Sequence, residues 1–202
     1  MMRHASLPLS AIAFLSVVLG VTTADEPSEQ QAISALKELG VEIVAVPVRA
    51  NSLRATLDRN DDSDVVGVHL VGSRREMVAD KHLKAVAKLP ALERLVVHRG
   101  NFSAEGLSYL ESNKSLNTIE LERTSVPEEA LIGELPKFTR LRDLQLRGVL
   151  SVTDDTLQKL AASLRLSSLD IQFTDVTNVG LSHISGMNTL EKLSFHRTGI
   201  TE

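Results

Sequence analysis

The 202-residue sequence predicts an α/β fold: a right-handed solenoid, one horseshoe segment with a parallel sheet on its concave side, helices on its convex side and an N-terminal helix–strand cap. Three observations predict it. An apolar-x-x-apolar-x-apolar pattern recurs six times at a nearly constant interval, and a second apolar pair at helical spacing follows each of the first five copies. Aromatic residues make up only 3%, with no Trp and one Tyr, so the core has to come from aliphatic side chains supplied many times over.

The chain begins with Arg3 and His4, an apolar run over residues 7–21, the small residues Thr22, Thr23 and Ala24, and then the acidic Asp25 and Glu26. This order of charge, apolar stretch and small-residue exit is that of a secretory signal peptide. Cleavage near Ala24 would leave residues 25–202 and, by removing Arg3, take the net charge from −4 to −5. The run falls short of the roughly 20 apolar residues of a membrane span. A secreted or periplasmic protein with no stable membrane anchor is expected.

Residues 25–64 read as the cap. Ser28 and Gln31 have the spacing of a capping box behind Pro27, and Ile33, Leu36 and Leu39 share a helical face that ends at Gly40. Residues 41–48 are β-branched and apolar, with Pro47 restricting them to a sheet edge, and residues 58–64 form a polar turn.

Residues 65–202 read as about six repeats, the last incomplete. The copies are Val65/Val68/Leu70, Leu92/Leu95/Val97, Leu116/Ile119/Leu121, Leu141/Leu144/Leu146, Leu166/Leu169/Ile171 and Leu190/Leu193/Phe195, starting 27, 24, 25, 25 and 24 residues apart. A doubly wound βαβ sheet has longer and less regular units. The helical pairs are Leu83/Val86, Leu107/Leu110, Leu131/Leu135, Leu157/Leu160 and Leu181/Ile184. Ser103, Thr153 and Thr177 stand where N-caps belong, and acidic residues follow where the helix dipole favours them. The first repeat is about three residues longer between Val71 and Leu83, and the fourth has one extra residue near Leu150. A strand or helix of this kind cannot bury its apolar side alone, so stacking the units creates the core.

The segments 166–177 and 190–201 resemble the L-x-x-L-x-L-x-x-T-x-[IV]-T repeats of ribonuclease-inhibitor-like leucine-rich-repeat proteins, above all the secreted, cysteine-free versions of planctomycete bacteria. The resemblance covers residues 65–202 and implies a fold without implying an activity. It departs from many such repeats in lacking an asparagine ladder, with Gly100, Thr124 and Thr174 at the equivalent positions. Relatives with an F-box bind ubiquitin-ligase substrates, but no F-box is present here.

Composition narrows the function classes. The absence of Cys excludes disulfide frameworks, thiolate metal sites and cysteine nucleophiles. Scattered Lys and Arg with a net charge of −4 give no phosphate-binding footprint, so no nucleic-acid partner is expected. Strand alternation turns the residues between the leucines toward the concave side. The face so defined carries His69, Arg94, Val96, His98 and Arg99, then Thr118, Glu120, Glu122 and Arg123, then Asp143, Gln145 and Arg147. Its last two rungs carry Ser168, Asp170, Gln172 and Phe173, and Lys192, Ser194, His196 and Arg197. His98, Glu122 and Arg147 form one column in which opposite charges can meet, while Arg99 and Arg123 crowd another. The polar, charged and aromatic members of this face make a protein-binding surface, with Arg99, Arg123 and Phe173 as its anchors.

Other constellations are weaker. Ser194, His196 and Asp170 permit a triad reading, hence an extracellular hydrolase as an alternative, but no nucleophile elbow or oxyanion pair accompanies them. Glu120, Asp143 and Asp170 come from different columns, so no metal and no cofactor is expected. Residues 60–64 lack the glycine and terminal Glu of a calcium loop. Asn101 and Asn113 begin acceptor triplets for glycosylation, and neither is expected to be modified. His82 and His183 fall on the helix side, where a lone histidine is usually a surface residue. The leading expectation is an exported module that binds protein through its concave face. A structural role in a cell-surface assembly, or a homodimer through the edge strand 190–197, is the alternative, because an unpaired edge offers its backbone to another chain.

Overall fold

The computed structural model of the chain describes residues 29–39, 42–43, 54–59 and 65–201. The segment expected to be a signal peptide, Ser28, residues 44–48 and the 60–64 stretch lie outside the described residues. Helix α1 (Glu29–Glu38) buries Ala32 and Leu36, with Ile33 and Leu39 partly buried against the same core. Strands β1 (Glu42–Ile43), β2 (Arg54–Arg59) and β3 (Val65–Val71) follow; β1 runs parallel to β2 and β2 antiparallel to β3. Strand β2 was not expected, and it corrects the polar turn: Asp58 and Arg59 extend the strand, with a register shift between them. Ladder hydrogen bonds come from the backbone, so the charged Asp58 and Arg59 join the strand through their pairing with Gly67 and Val65.

From β3 onward the repeat is regular. Strands β4 (Arg94–His98), β5 (Thr118–Glu122), β6 (Asp143–Gln145), β7 (Ser168–Asp170) and β8 (Lys192–Ser194) add in sequence order, each parallel to the one before. Register aligns Val68, Leu95, Ile119, Leu144, Leu169 and Leu193 as one apolar row, buried down to Leu169 and half-buried at Leu193. Helices α2 (Asp80–Val86), α3 (Ala104–Ser108), α4 (Glu128–Glu134), α5 (Asp154–Ser163) and α6 (Asn178–Ile184) cover the row from the convex side. The extra residues sit where the repeat lengths placed them. In the first repeat Ser73 closes a turn, its hydroxyl accepting the N–H groups of Arg75 and Glu76. In the fourth, Leu150 is pushed out to 72% exposure.

The expected N-caps form, and Ser103 and Thr177 do a second job. Ser103 accepts Gly106 N–H, Thr153 accepts Thr156 N–H and Thr177 accepts Val179 N–H. The first residue of one helix then holds the cap of the next: Ser103 donates N–H and hydroxyl to the Asp80 carboxylate, both at 2.8 Å, and Thr177 does the same to Asp154 at 2.8 and 2.6 Å. Asn178 repeats the contact with Thr201. Burial works against ionisation of Asp154, but the hydroxyl and N–H of Thr177 and the N–H of Gly180 outweigh it and hold the carboxyl below its ordinary range. Where the first residue is Ala104, the next cap is Pro127, which has no N–H to satisfy.

His82 corrects an expectation, for it is fully buried rather than on the surface. It occupies the third helical position, the place of Thr156 in α5, and its Nδ1 accepts the N–H of Ala79 at 2.9 Å. Ala79 has no side-chain oxygen, so only this half of the reciprocal cap forms, and the His82 N–H donates to the Ala79 carbonyl at 2.9 Å instead. Burial, then the neighbouring Lys81, lowers its pKa below 6.5. The folded chain therefore holds neutral His82, and the unfolded chain takes up a proton first as pH falls. Stability is complete above pH ~6.5 and declines below it. Urea titrations between pH 7.5 and 5 should show this decline, and His82→Thr, which keeps the acceptor, should flatten it; an unchanged slope refutes the assignment.

Asn113 is buried, with its Nδ2 donating to the Leu89 carbonyl at 2.6 Å, so this acceptor triplet is closed to modification in the folded chain.

Candidate protein-binding face

The parallel register builds the concave face as columns. Arg94, Thr118, Asp143, Ser168 and Lys192 form one, and Val96, Glu120, Gln145, Asp170 and Ser194 form the next, which corrects the expectation that Glu120 and Asp170 stand in different columns. His98 and Glu122 start a third, which Arg147, Gln172 and His196 continue beyond the strand ends. Not every member is presented: Val96 and Asp170 are buried.

Charges pair across columns as well as along them. Arg94 Nη2 lies 2.7 Å from Glu120 Oε1, one column over, and His98 Nε2 lies 3.3 Å from Glu122 Oε2 in the same column. His98 also packs against His69, the rings tilted by 57° with centroids 4.9 Å apart. The expected column of His98, Glu122 and Arg147 closes only in its first half. Arg147 reaches instead to Asp170 at 2.9 Å, and that bond raises its already high pKa. Asp170 further accepts the backbone N–H of Gln172 at 2.9 Å and its Nε2 at 3.1 Å. The carboxylate required by the triad reading is thus already engaged by Arg147 and Gln172. Such half-exposed pairs contribute under about 1 kcal/mol each, so they order the face more than they stabilise the fold.

Arg99, Arg123, Phe173 and Arg197 do not lie on the strands. Each directly follows the third-column residue of its rung and takes a left-handed backbone, with φ of 58°, 52°, 58° and 56°; Gly148 holds the same place in the fourth rung with φ 66°. This is why a residue and its immediate neighbour can both serve one side of the sheet, which alternation alone forbids. These residues continue the ladder. The N–H groups of Gly72, Arg99, Arg123, Gly148 and Phe173 donate to the carbonyls of His98, Glu122, Arg147, Gln172 and His196 at 2.7–3.1 Å. A left-handed turn costs a residue other than glycine roughly 1–2 kcal/mol. Of the five rungs from β4 to β8, four carry that cost and present a large side chain there. Phe173 is 40% exposed, with Arg197 over its ring at 5.4 Å and His196 edge-on at 6.3 Å.

Two depressions open along this rim on either side of Arg123. One, of about 220 Å³, lies between Gly72, His98, Arg99, Glu122 and Arg123. The other, of about 290 Å³, is lined by Met77, Arg123, Val126, Gly148 and Leu150, with Thr124, Ser125 and Ser151. Among the described residues no group of three or more His, Asp or Glu side chains could hold a metal ion. The rim was only partly legible beforehand: its side chains stood among the concave residues, but nothing in the leucine pattern marks the change of backbone hand.

The fold is a leucine-rich-repeat solenoid. No family model and no curated protein matches the chain. Among solved structures it is similar to an internalin (InlF) from Listeria monocytogenes, at 23% identity and TM-score 0.44, over 59% of this chain and 33% of that one. It is similar also to PEPR1–AtPEP1, at 18% identity and TM-score 0.42, over 72% of this chain and 20% of that one. A plant ice-binding protein follows at 19% identity and TM-score 0.40, over 61% and 38%. The chain thus spans between 20% and 38% of these proteins' length.

Proposed function

We propose that this chain is an exported protein-binding module whose partner lies across the concave face of the solenoid. The observation that carries the reading is the face itself: five consecutive rungs place polar side chains of both signs in fixed columns on a sheet that is backed by a continuous aliphatic core. A preformed face of this kind loses little conformational entropy on binding. Its polar groups select a partner by electrostatic complementarity. Export rests on the sequence of residues 3–24. Among the described residues no helix is long and apolar enough to cross a membrane.

The test is capture from an envelope extract by the chain beginning at Asp25. Thr118→Arg with Gln145→Arg adds bulk and charge to the middle of the face and should reduce capture of a specific partner at least tenfold. Gln158→Arg, on the exposed side of α5, should leave it unchanged. The reverse pattern, with circular dichroism confirming that both variants are folded, would place the contact elsewhere and overturn the reading.

A further inference from the structure

We infer that the rim beyond the strands is a docking groove for an extended acidic peptide segment, with a carboxylate seated between Arg99 and Arg123 and an apolar side chain in the depression over Gly148. This deepens the protein-binding reading and rests on it.

Charge is the first argument. The arginines of the concave face proper are spoken for, Arg94 by Glu120 at 2.7 Å and Arg147 by Asp170 at 2.9 Å. On the rim, no ion pair engages Arg99 among the described residues. Arg123 reaches Glu122 only at 4.0 Å, and its side chain is 69% exposed. Glu122, the one acid lining this depression, lies closer to His98, at 3.3 Å. Two guanidinium groups on adjacent rungs therefore flank a depression whose lining carboxylate, Glu122, is shared with His98 and meets Arg123 only at 4.0 Å, and guanidinium pairs carboxylates in two-point geometry.

The second depression has a different chemistry. Gly148 leaves out the side chain that every other left-handed rung of the column presents, and Met77 and Leu150 stand beside the gap 42% and 72% exposed. Exposed apolar side chains bordering a depression mark a contact surface more often than isolated ones do. Arg123 forms the wall between the two depressions, so one ligand segment spans both. Adjacent rungs lie about 4.8 Å apart and alternate side chains of an extended chain about 6.6 Å apart. The long arginine side chains absorb that difference. The occupant is then an extended segment with an acidic residue and, two positions away, an apolar one.

The experiment is fluorescence anisotropy with four labelled dodecapeptides, alike except for a central Glu-Gly-Leu, Gln-Gly-Leu, Lys-Gly-Leu or Glu-Gly-Ser. The chain beginning at Asp25 should bind the Glu-Gly-Leu peptide at least tenfold more tightly than the Gln and Lys peptides, and the preference should shrink as salt is raised. Arg99→Asn with Arg123→Asn should abolish it; Asn tolerates the left-handed turn, so an unchanged melting temperature shows that the rim is intact. Gly148→Arg, which fills the apolar depression, should erase the preference for Leu over Ser. Equal binding of all four peptides overturns the inference, as does binding that follows negative charge alone. Failure of every peptide to bind, with capture across the concave face retained, overturns this inference and leaves the protein-binding reading standing.

Discussion

Leu144→Ala should lower the unfolding free energy by about 2–5 kcal/mol, the range of large-to-small changes at fully buried sites. Leu144 is 0% exposed at the centre of β6, and register sets it between Ile119 and Leu169 in the apolar row. A solenoid passes stability from one unit to the next, so a cavity in a middle rung weakens both of its interfaces. Terminal units have only one. Urea denaturation followed by circular dichroism measures the loss, with Leu150→Ala as the control: that residue belongs to the same repeat but is 72% exposed, and its truncation should stay within about 0.5 kcal/mol. A loss below about 1 kcal/mol at Leu144 would contradict the register. A fall in the denaturant slope as well would mean that the array has separated into two cooperative parts.

Gly106→Ala should cost about 2–3 kcal/mol, although alanine is the better helix former, because it displaces a carboxylate that makes two charge-assisted hydrogen bonds. A Cβ on Gly106 would fall inside the contact distance of Asp80 Oδ1, the atom that accepts the Ser103 N–H. Moving Asp80 strands that N–H and the Ser103 hydroxyl together. Asp80→Ala alone should cost about 1–3 kcal/mol for the same lost partners. Adding Gly106→Ala to Asp80→Ala should then be neutral or stabilising by up to about 1 kcal/mol, since the obstruction is gone and only helix propensity remains. The chain contains this double replacement already. In the following repeat Ala104 stands for Asp80, Ala130 for Gly106 and Pro127 for Ser103. Melting temperatures of the four proteins give the coupling directly. Additive losses would show that aspartate, cap and glycine do not act as a unit.

The candidate site was legible to the extent that strand period is legible. Arg94, Glu120, Asp143, Gln145 and Asp170 lie on the concave face because apolar positions two apart leave the residues between them on the other side of the sheet. Which charges meet was not legible: Arg147 joins Asp170 rather than Glu122, a choice made by side-chain reach across two columns. The left-handed column escaped for a related reason. Glycine marks it only at Gly148, whereas arginine or phenylalanine gives no local sign of a positive φ.

What the residues determine alone is the period, and with it the architecture: leucines recurring every 24–27 residues can be buried only by stacking strand on strand and helix on helix. The helix starts belong to the same class, since Ser103, Thr153 and Thr177 cap through bonds to residues two or three positions away. Other features depend on residues about 25 positions away that only stacking makes neighbours. The burial of His82, the hold of Asp80 on Ser103 and of Asp154 on Thr177, and the two depressions around Arg123 are all of this kind. The physical reason is range: propensity and period act over a few residues, whereas burial, charge pairing and cavity shape act through space between chain segments that the sequence order keeps apart.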